Sequence, residues 1–309
     1  TYVDTADGQI LVRHWFDRPT APPIVMLHWT PVSSRQFADV APLIVEHGVQ
    51  VFALDLPGYG QSDARVLKSD GTDWLIPDFA ASIAQAIRAL GLSRTALYGG
   101  HVSAAIAAQV AHDEKELIAR VILDGCPCWP EAVRRQILAA VAPGYPHVAA
   151  DESHARIPYD KVMFFLREWI RGVEVNDALL PRIYDYMADL LATRFASSSA
   201  ALGAFAMEEI LAGVPQPALA LTADNDPLGS FHAHALSLLR NAREHRFAGN
   251  HPLHDPARVR EAGPEAESDD GRAVLHEGLG PVLDPRAHDP PPEPGVEASQ
   301  LAELPAQLV

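Results

Sequence analysis

Residues 95–112 read TALYGGHVSAAIAAQVAH, and this stretch decides the fold. The run Thr95–Gly99 predicts a buried strand, and Val102–His112 has the composition of a buried helix rich in alanine. Only Gly100 and His101 separate the two predicted elements. A strand that passes so directly into a helix is typical of a parallel sheet whose connections are helical.

The surrounding sequence repeats this alternation. A helix is predicted over Phe79–Leu90, where apolar residues recur at helical spacing and Gly91 follows. Further strands are predicted at Ile10–Phe16, Ile24–Leu27, Val49–Leu54, Arg120–Leu123, Ala218–Thr222 and Glu244–Phe247. Strands that alternate with helices predict an α/β fold with a mostly parallel twisted sheet and helices on both faces.

Four parts of the chain differ in pattern. Residues 1–126 and 214–260 carry the alternation and form the two parts of one core. Residues 127–213 show helical segments alone, such as Lys161–Arg171 and Ile183–Phe195, which favours an inserted helical lid; a separate helical domain fits the same pattern. Residues 261–309 hold eleven acidic residues and eight prolines, which predicts an irregular acidic tail.

Composition restricts the classes of partner. The formal net charge is -16, so neither nucleic acid nor an anionic membrane surface is expected as the main partner. No apolar run is long enough to cross a bilayer, and the chain begins without a charged-then-apolar leader. The two cysteines, Cys126 and Cys128, are too close in sequence for a relaxed mutual disulfide, so we expect reduced thiols and a cytoplasmic location.

Three segments together resemble the α/β-hydrolase superfamily. Leu27-His28-Trp29-Thr30-Pro31 is similar to the His-Gly loop after the third strand of that family, with Trp29 where glycine is usual. Asp55-Leu56-Pro57-Gly58-Tyr59-Gly60-Gln61-Ser62-Asp63 resembles a structural loop of the family. Leu97–Ala107 resembles the sharp turn, or elbow, that carries the nucleophile. The resemblance implies an α/β-hydrolase fold of an atypical subgroup with histidine in place of the nucleophilic serine.

The elbow of this family requires small residues two places before and two places after its apex. Centring the turn on His101 places Gly99 and Ser103 at these positions, whereas centring it on Ser103 would place His101 at one of them. An apex at Val102, flanked by Gly100 and Ala104, also fits and would make the protein catalytically silent. The preceding strand and the following Ala104-Ala105-Ile106-Ala107 favour His101.

The resemblance also implies partners for His101 late in the chain. Asp226 falls in the place of the triad acid after a predicted strand, and His251 in Ala248-Gly249-Asn250-His251-Pro252 falls in the place of the triad histidine. Asp124 is an alternative acid, His254 is off the pattern, and His28 has a mainly structural role in the family. Backbone N–H groups at Trp29 or Thr30 and at Val102 are the implied oxyanion donors.

A His101–Asp226–His251 site predicts an enzyme without cofactor or metal that hydrolyses an ester, lactone or related carbonyl bond of a small apolar substrate. One imidazole would act as acid and the other as base, or His101 would itself attack the carbonyl. Three alternatives stay open: a cofactor-independent C–C lyase or decarboxylase, a Zn²⁺ or Fe²⁺ site built from the two imidazoles and the carboxylate, and a non-catalytic ligand-binding protein. The oligomeric state is not predicted.

Overall fold

The computed structural model of the chain describes residues 1–63, 68, 72–135, 163, 167, 177, 179–192 and 201–249. The second imidazole, His251, lies outside these residues, as do His254 and the whole of 261–309. Of the predicted helix 161–171, positions 163 and 167 alone are described. No helix in the described part of the chain is long and apolar enough to cross a membrane.

The described residues build one eight-stranded sheet around which the helices pack. Its strands are β1 Tyr2–Thr5, β2 Gly8–Trp15, β3 Ile24–Leu27, β4 Val51–Leu54, β5 Thr95–Gly100, β6 Ile118–Asp124, β7 Ala218–Ala223 and β8 Ala242–Phe247. Their order across the sheet is β1-β2-β4-β3-β5-β6-β7-β8. The β1–β2 and β2–β4 pairs are antiparallel and every later pair is parallel. The predicted α/β class with a mostly parallel sheet is confirmed.

The central strands are apolar because helices cover both faces of the sheet. Every residue of β3, β4, β5 and β7 is buried, which explains why these strands read as continuous apolar runs rather than as alternating ones. The edge strand β8 differs: Arg243, Glu244 and Arg246 are exposed, and Phe247 alone is fully buried. The core therefore lies on both sides of β3, β5 and β6.

The helices with defined limits are α1 Val40–Glu46, α2 Ile76–Ala89, α3 Val102–Asp113, α4 Leu180–Ala192, α5 Met207–Gly213 and α6 His232–Leu238. In the first turn of α2 the carboxylate of Asp78 accepts a hydrogen bond from the N–H of Leu75 at 2.8 Å, which satisfies a donor that the helix cannot. Every residue of α3 from Val102 to Ala111 is buried. Its alanines allow the helix to lie close against β5 and β6 of the sheet, with α2 as a further neighbour.

Each strand predicted from the sequence is present, and most limits agree within two residues. The strand β1 and the short helices α1 and α6 were not predicted. They bury few apolar side chains, and α1 contains Pro42, so neither periodicity nor propensity marks them in the sequence. The predicted helix 183–195 is found as α4, which begins three residues earlier.

Helix α4 is attached by polar contacts to the loop that follows β3. The Ser33 hydroxyl donates to Oδ2 of Asp189 at 2.7 Å. Arg182 pairs with the carboxylate of Asp39, with Nε 3.0 Å from Oδ2. Arg35 lies 3.5 Å from the carboxylate of Asp185. These contacts fix a helix from the predicted insertion beside the carboxyl edge of the sheet.

Candidate active site

The turn between β5 and α3 places His101 in an unusual backbone conformation. Its φ of 52° and ψ of -117° lie where residues other than glycine are uncommon and cost about 1–3 kcal/mol. Val102, the other candidate for the apex, is already the first residue of α3. The strained residue at the end of the strand is therefore the histidine.

The small residues before the turn are required by close contacts. A Cβ atom on Gly99 would stand 2.1 Å from the carbonyl oxygen of Ser103. The N–H of His101 donates to the carbonyl of Asp124 at 2.8 Å, and the N–H of Ala104 donates to the carbonyl of His101 at 2.9 Å. Hydrogen bonds on both sides thus hold the strained residue in one conformation.

The imidazole of His101 lies against a carboxylate from a distant part of the chain. Nε2 of His101 is 3.5 Å from Oδ1 of Asp226, which belongs to the turn after β7. The N–H of Leu228 donates to the same Oδ1 at 2.8 Å and fixes the carboxylate. The Asp226 side chain is 4% exposed and the His101 side chain 20%, so the pair is shielded yet reachable from one side.

A glycine makes this approach possible. Gly125, directly after β6, has a φ of 54°, and a Cβ atom there would lie 2.4 Å from Cδ2 of His101 and 2.6 Å from Oδ2 of Asp226. Since both side chains close over the backbone of Gly125, any larger residue would push them apart. This glycine was not predicted as a site residue, although a glycine directly after a buried strand is a signal of close approach.

The side chain of Trp29 covers a face of the His101 ring. The two rings are stacked with centroids 4.6 Å apart and an interplanar angle of 4°. The backbone N–H of Trp29 donates to Oε1 of Gln36 at 3.0 Å. This N–H, one of those predicted as an oxyanion donor, is therefore engaged by a side chain within its own loop.

Thr30 and Val102 follow the neighbouring strands β3 and β5 at the same distance along the chain. Leu27 of β3 pairs with Gly99 of β5 in the parallel register. Thr30 lies three residues after Leu27, and Val102 lies three residues after Gly99. Among the described residues neither backbone N–H has a hydrogen-bond acceptor. Both N–H groups are thus at the carboxyl edge of the sheet, beside the elbow.

His28 lies fully inside the protein, with no exposed surface. Its Nε2 accepts a hydrogen bond from the N–H of Leu56 at 2.9 Å, so Nδ1 carries the proton and donates to the carbonyl of Trp29 at 2.8 Å. Burial lowers the pKa of His28, more than the nearby carboxylate of Asp55 raises it. In this arrangement His28 is neutral and ties the β3 loop to the β4 loop.

The electrostatic surroundings of His101 favour its charged form. Burial opposes protonation, but the charge of Asp226, its hydrogen bond and the charge of Asp124 outweigh burial, so the pKa of His101 lies above its ordinary value of 6.5. Within the described ranges no group of three His, Cys, Asp or Glu side chains is placed to hold a metal ion. The described contacts of His101 include the carboxylate of Asp226 at its edge and the indole of Trp29 on its face.

A family model described as alpha/beta hydrolase fold matches residues 22–249. The chain belongs to the α/β-hydrolase fold family. A haloalkane dehalogenase from Mycobacterium marinum is 31% identical to this α/β-hydrolase-fold chain over 126 residues, which is 40% of the chain and 41% of the dehalogenase. The alignment thus spans about two fifths of that curated relative.

Solved structures with low sequence identity share the fold. An esterase from Exiguobacterium antarcticum superposes with a TM-score of 0.63 at 18% identity, covering 80% of this chain and 90% of the esterase. An enol-lactonase from Burkholderia xenovorans LB400 gives a TM-score of 0.63 at 15% identity, covering 80% and 91%. At these identities the likeness concerns the α/β-hydrolase fold alone.

Two further residues of this α/β-hydrolase-fold protein contact each other beside the elbow, and one of them, Tyr98, was not predicted as a functional residue. Tyr98, in β5, accepts a hydrogen bond from Nε1 of Trp29 at 3.2 Å and donates to Oδ2 of Asp124 at 2.5 Å. Asp124 was considered only as an alternative acid, yet its carboxylate faces Tyr98. A tyrosine followed by two glycines within a buried strand was a signal that its hydroxyl needs an internal partner.

Proposed function

We propose that this protein hydrolyses an ester or lactone bond of a small, mainly apolar substrate, with His101 and Asp226 as its acid–base pair. The observation that carries the proposal is the 3.5 Å approach of Nε2 of His101 to Oδ1 of Asp226 at the strained elbow. Backbone strain is maintained in proteins chiefly where function requires it. A buried carboxylate that orients an imidazole is the arrangement from which general base catalysis proceeds.

The pair removes a proton from water rather than from a serine. Asp226 holds the proton of Nε2, so Nδ1 accepts a proton from water while the water oxygen bonds to the carbonyl carbon. The carbonyl π electrons move to oxygen and form a tetrahedral oxyanion. When the carbonyl reforms, the bond to the leaving oxygen breaks, and that oxygen takes the proton from the imidazolium of His101. His251, at the triad-histidine place of the family pattern, is proposed as the second imidazole of the site.

The N–H groups of Thr30 and Val102 are proposed to hold the oxyanion. Their equal offset from the Leu27–Gly99 pair supports this role, since it brings both to the same edge of adjacent strands. The engagement of the Trp29 N–H with Gln36 favours Thr30 over Trp29 as the donor from the β3 loop. The start of α3 at Val102 adds the positive end of a helix dipole.

Substrate size and polarity are proposed from the insertion. Residues 127–213 are proposed to act as a lid, with α4 fixed to the β3 loop by Ser33 and Arg182. Buried apolar side chains of this segment include Trp129, Leu179, Tyr186 and Phe205. A lid with apolar side chains of this kind suits an apolar acyl or aromatic group. The esterase and the enol-lactonase among the structural neighbours are consistent with ester or lactone chemistry on this fold.

The test compares wild-type protein with His101→Ala and Asp226→Asn on panels of aryl esters, γ- and δ-lactones and β-keto acids. We expect ester or lactone turnover by wild type and a loss of about 10²–10⁴-fold in kcat/KM for both variants. His112→Ala is the matched control, because it removes a partly exposed histidine from the other end of α3. Turnover of the β-keto acids alone would indicate the lyase reading. Full activity of His101→Ala would contradict the proposal.

A further inference from the structure

His101 belongs to a closed series of contacts that begins and ends at Asp124. The backbone carbonyl of Asp124 accepts the N–H of His101 at 2.8 Å. The carboxylate of the same residue accepts the hydroxyl of Tyr98 at 2.5 Å, and that hydroxyl accepts Nε1–H of Trp29 at 3.2 Å. The indole of Trp29 then stacks on the ring of His101.

We propose that Asp124, Tyr98 and Trp29 form a positioning chain that fixes the plane of the His101 imidazole, and that the indole stabilises the protonated ring through its face. This inference rests on the proposed acid–base role of His101. Asp226 contacts the edge of the ring at Nε2, whereas Trp29 contacts its face. The contact with Asp226 restrains the ring within its plane, and the contact with Trp29 restrains movement perpendicular to that plane. Both contacts favour the imidazolium over the neutral ring.

The direction of each hydrogen bond in the chain follows from burial and charge. Tyr98 is 4% exposed, and burial, together with the charge of Asp124, raises the pKa of its hydroxyl well above the ordinary value. The phenol therefore stays protonated and donates to Asp124. Because an indole nitrogen can only donate, Trp29 must be the donor to Tyr98, so the three side chains have one consistent arrangement.

The backbone beneath the indole is adapted to this arrangement. A Cβ atom on Gly100 would lie 1.5 Å from Nε1 of Trp29, so the indole occupies the space that any side chain at this position would need. Phe37 packs against the ring of Tyr98 in a T-shaped contact, with centroids 5.7 Å apart. The stacked position of Trp29 is thus defined by steric fit as well as by hydrogen bonding.

The positioning chain of Asp124, Tyr98 and Trp29 can be tested without a substrate. A protonated imidazole in contact with an indole quenches the fluorescence emission of that indole. The pH dependence of tryptophan emission is measured for full-length wild type and for His101→Ala; their difference reports the titration of His101 beside Trp29. Trp29→Phe should abolish that difference. A wild-type titration identical to that of His101→Ala would overturn the proposal.

Tyr98→Phe removes the hydroxyl that links Trp29 to Asp124 in the positioning chain. We expect the amplitude of the His101-dependent emission change to fall about twofold or more, and its midpoint to move down by about 0.5–1.5 pH units, as loss of a cation–π contact requires. Tyr2→Phe, which removes an exposed hydroxyl from the edge strand β1, is the control and should leave both values unchanged. A Tyr98→Phe variant with the wild-type amplitude and midpoint of the emission change would contradict the proposed positioning chain.

Gly100→Ala is the second variant, because it displaces the indole while keeping every polar group of the chain. It should reduce the amplitude as Tyr98→Phe does; a wild-type titration in Gly100→Ala would also contradict the proposal. If Tyr98→Phe hydrolyses a substrate, kcat should fall more than KM rises, since the substrate pocket is unchanged. Failure of every substrate panel would remove the proposed hydrolysis yet leave the emission titration as an independent result.

Discussion

A Cβ atom on Gly125 would stand 2.4 Å from Cδ2 of His101, far inside van der Waals contact. The same atom would approach the carboxylate of Asp226 to 2.6 Å. The absence of a side chain at position 125 is therefore a condition for the approach of His101 to Asp226. Gly125 also adopts a φ of 54°, where alanine costs about 1–2 kcal/mol.

The first prediction compares Gly125→Ala with Gly91→Ala. Gly91 has a φ of 71° and no neighbour within 4 Å of an added Cβ atom, so it shares the backbone strain without the steric conflict. Gly91→Ala should lose about 1–2 kcal/mol of unfolding free energy in urea melts, and Gly125→Ala should lose more because its Cβ atom also meets His101 and Asp226. Only Gly125→Ala should lose activity, by about 10²-fold, because a displacement of about 1 Å disrupts the site. Equal activity of the two variants would contradict the role of Gly125.

The second prediction concerns pH. Because the pKa of His101 is raised, the neutral base forms only above its ordinary pKa of 6.5, and kcat/KM should rise with pH through a value above 6.5. In Asp226→Asn the charge that supports the imidazolium is gone, so the residual pH profile should shift to lower pH. A pH–rate profile of both proteins measures this shift. An upward shift, or none, would show that another group controls the profile.

The third prediction concerns the attachment of α4. Burial raises the pKa of Asp189 more than its hydrogen bond to Ser33 and the charge of Arg35 lower it. The folded protein thus binds this proton more tightly than the unfolded chain, and the contribution of Asp189 to stability declines as pH rises above about 3.8 through the folded pKa. Asp189→Asn keeps an acceptor for Ser33 and should lack that decline when unfolding is measured between pH 4 and pH 7.

Ser33→Ala gives the contrasting change at the same contact. It leaves the buried carboxylate of Asp189 without the hydrogen bond of 2.7 Å from Ser33, so unfolding free energy at pH 7 should fall by about 1–3 kcal/mol. Asp189→Asn should lose less than Ser33→Ala at that pH. The reverse order would mean that the carboxylate stabilises α4 through its charge, with Arg35 as its partner.

The fourth prediction concerns the structural role of His28. His28→Leu removes two buried hydrogen bonds, to the N–H of Leu56 and the carbonyl of Trp29, and should cost about 2–4 kcal/mol of unfolding free energy. The lowered pKa of His28 means that wild-type stability declines as pH falls below about 6.5, and His28→Leu should lack this component. His112→Leu, at a partly exposed histidine that contacts the neighbouring Asp113, should change both quantities much less.

Much of the fold follows from local patterns. The buried runs at 24–27, 95–99 and 218–222 predicted strands because parallel strands covered on both faces are apolar throughout. The positions of His101 and Asp226 after such strands predicted that both lie at the carboxyl edge of the sheet. The short helices α1 and α6 were not predicted, since their formation depends on packing against neighbouring elements rather than on their own composition.

The sequence alone predicts which residues follow the buried strands, because apolar runs and glycines mark where each strand ends, whereas the order of the strands in the sheet comes from the tertiary structure. The pairing of the side chains depends on the tertiary structure: Asp226 lies beside the elbow imidazole, and the indole of Trp29 stacks on the face of that imidazole. The physical reason is that a side chain's direction in a loop depends on contacts with other strands, such as the hydroxyl of Tyr98 and the bare backbone of Gly100. Those contacts exist only once β3, β5, β6 and β7 lie side by side.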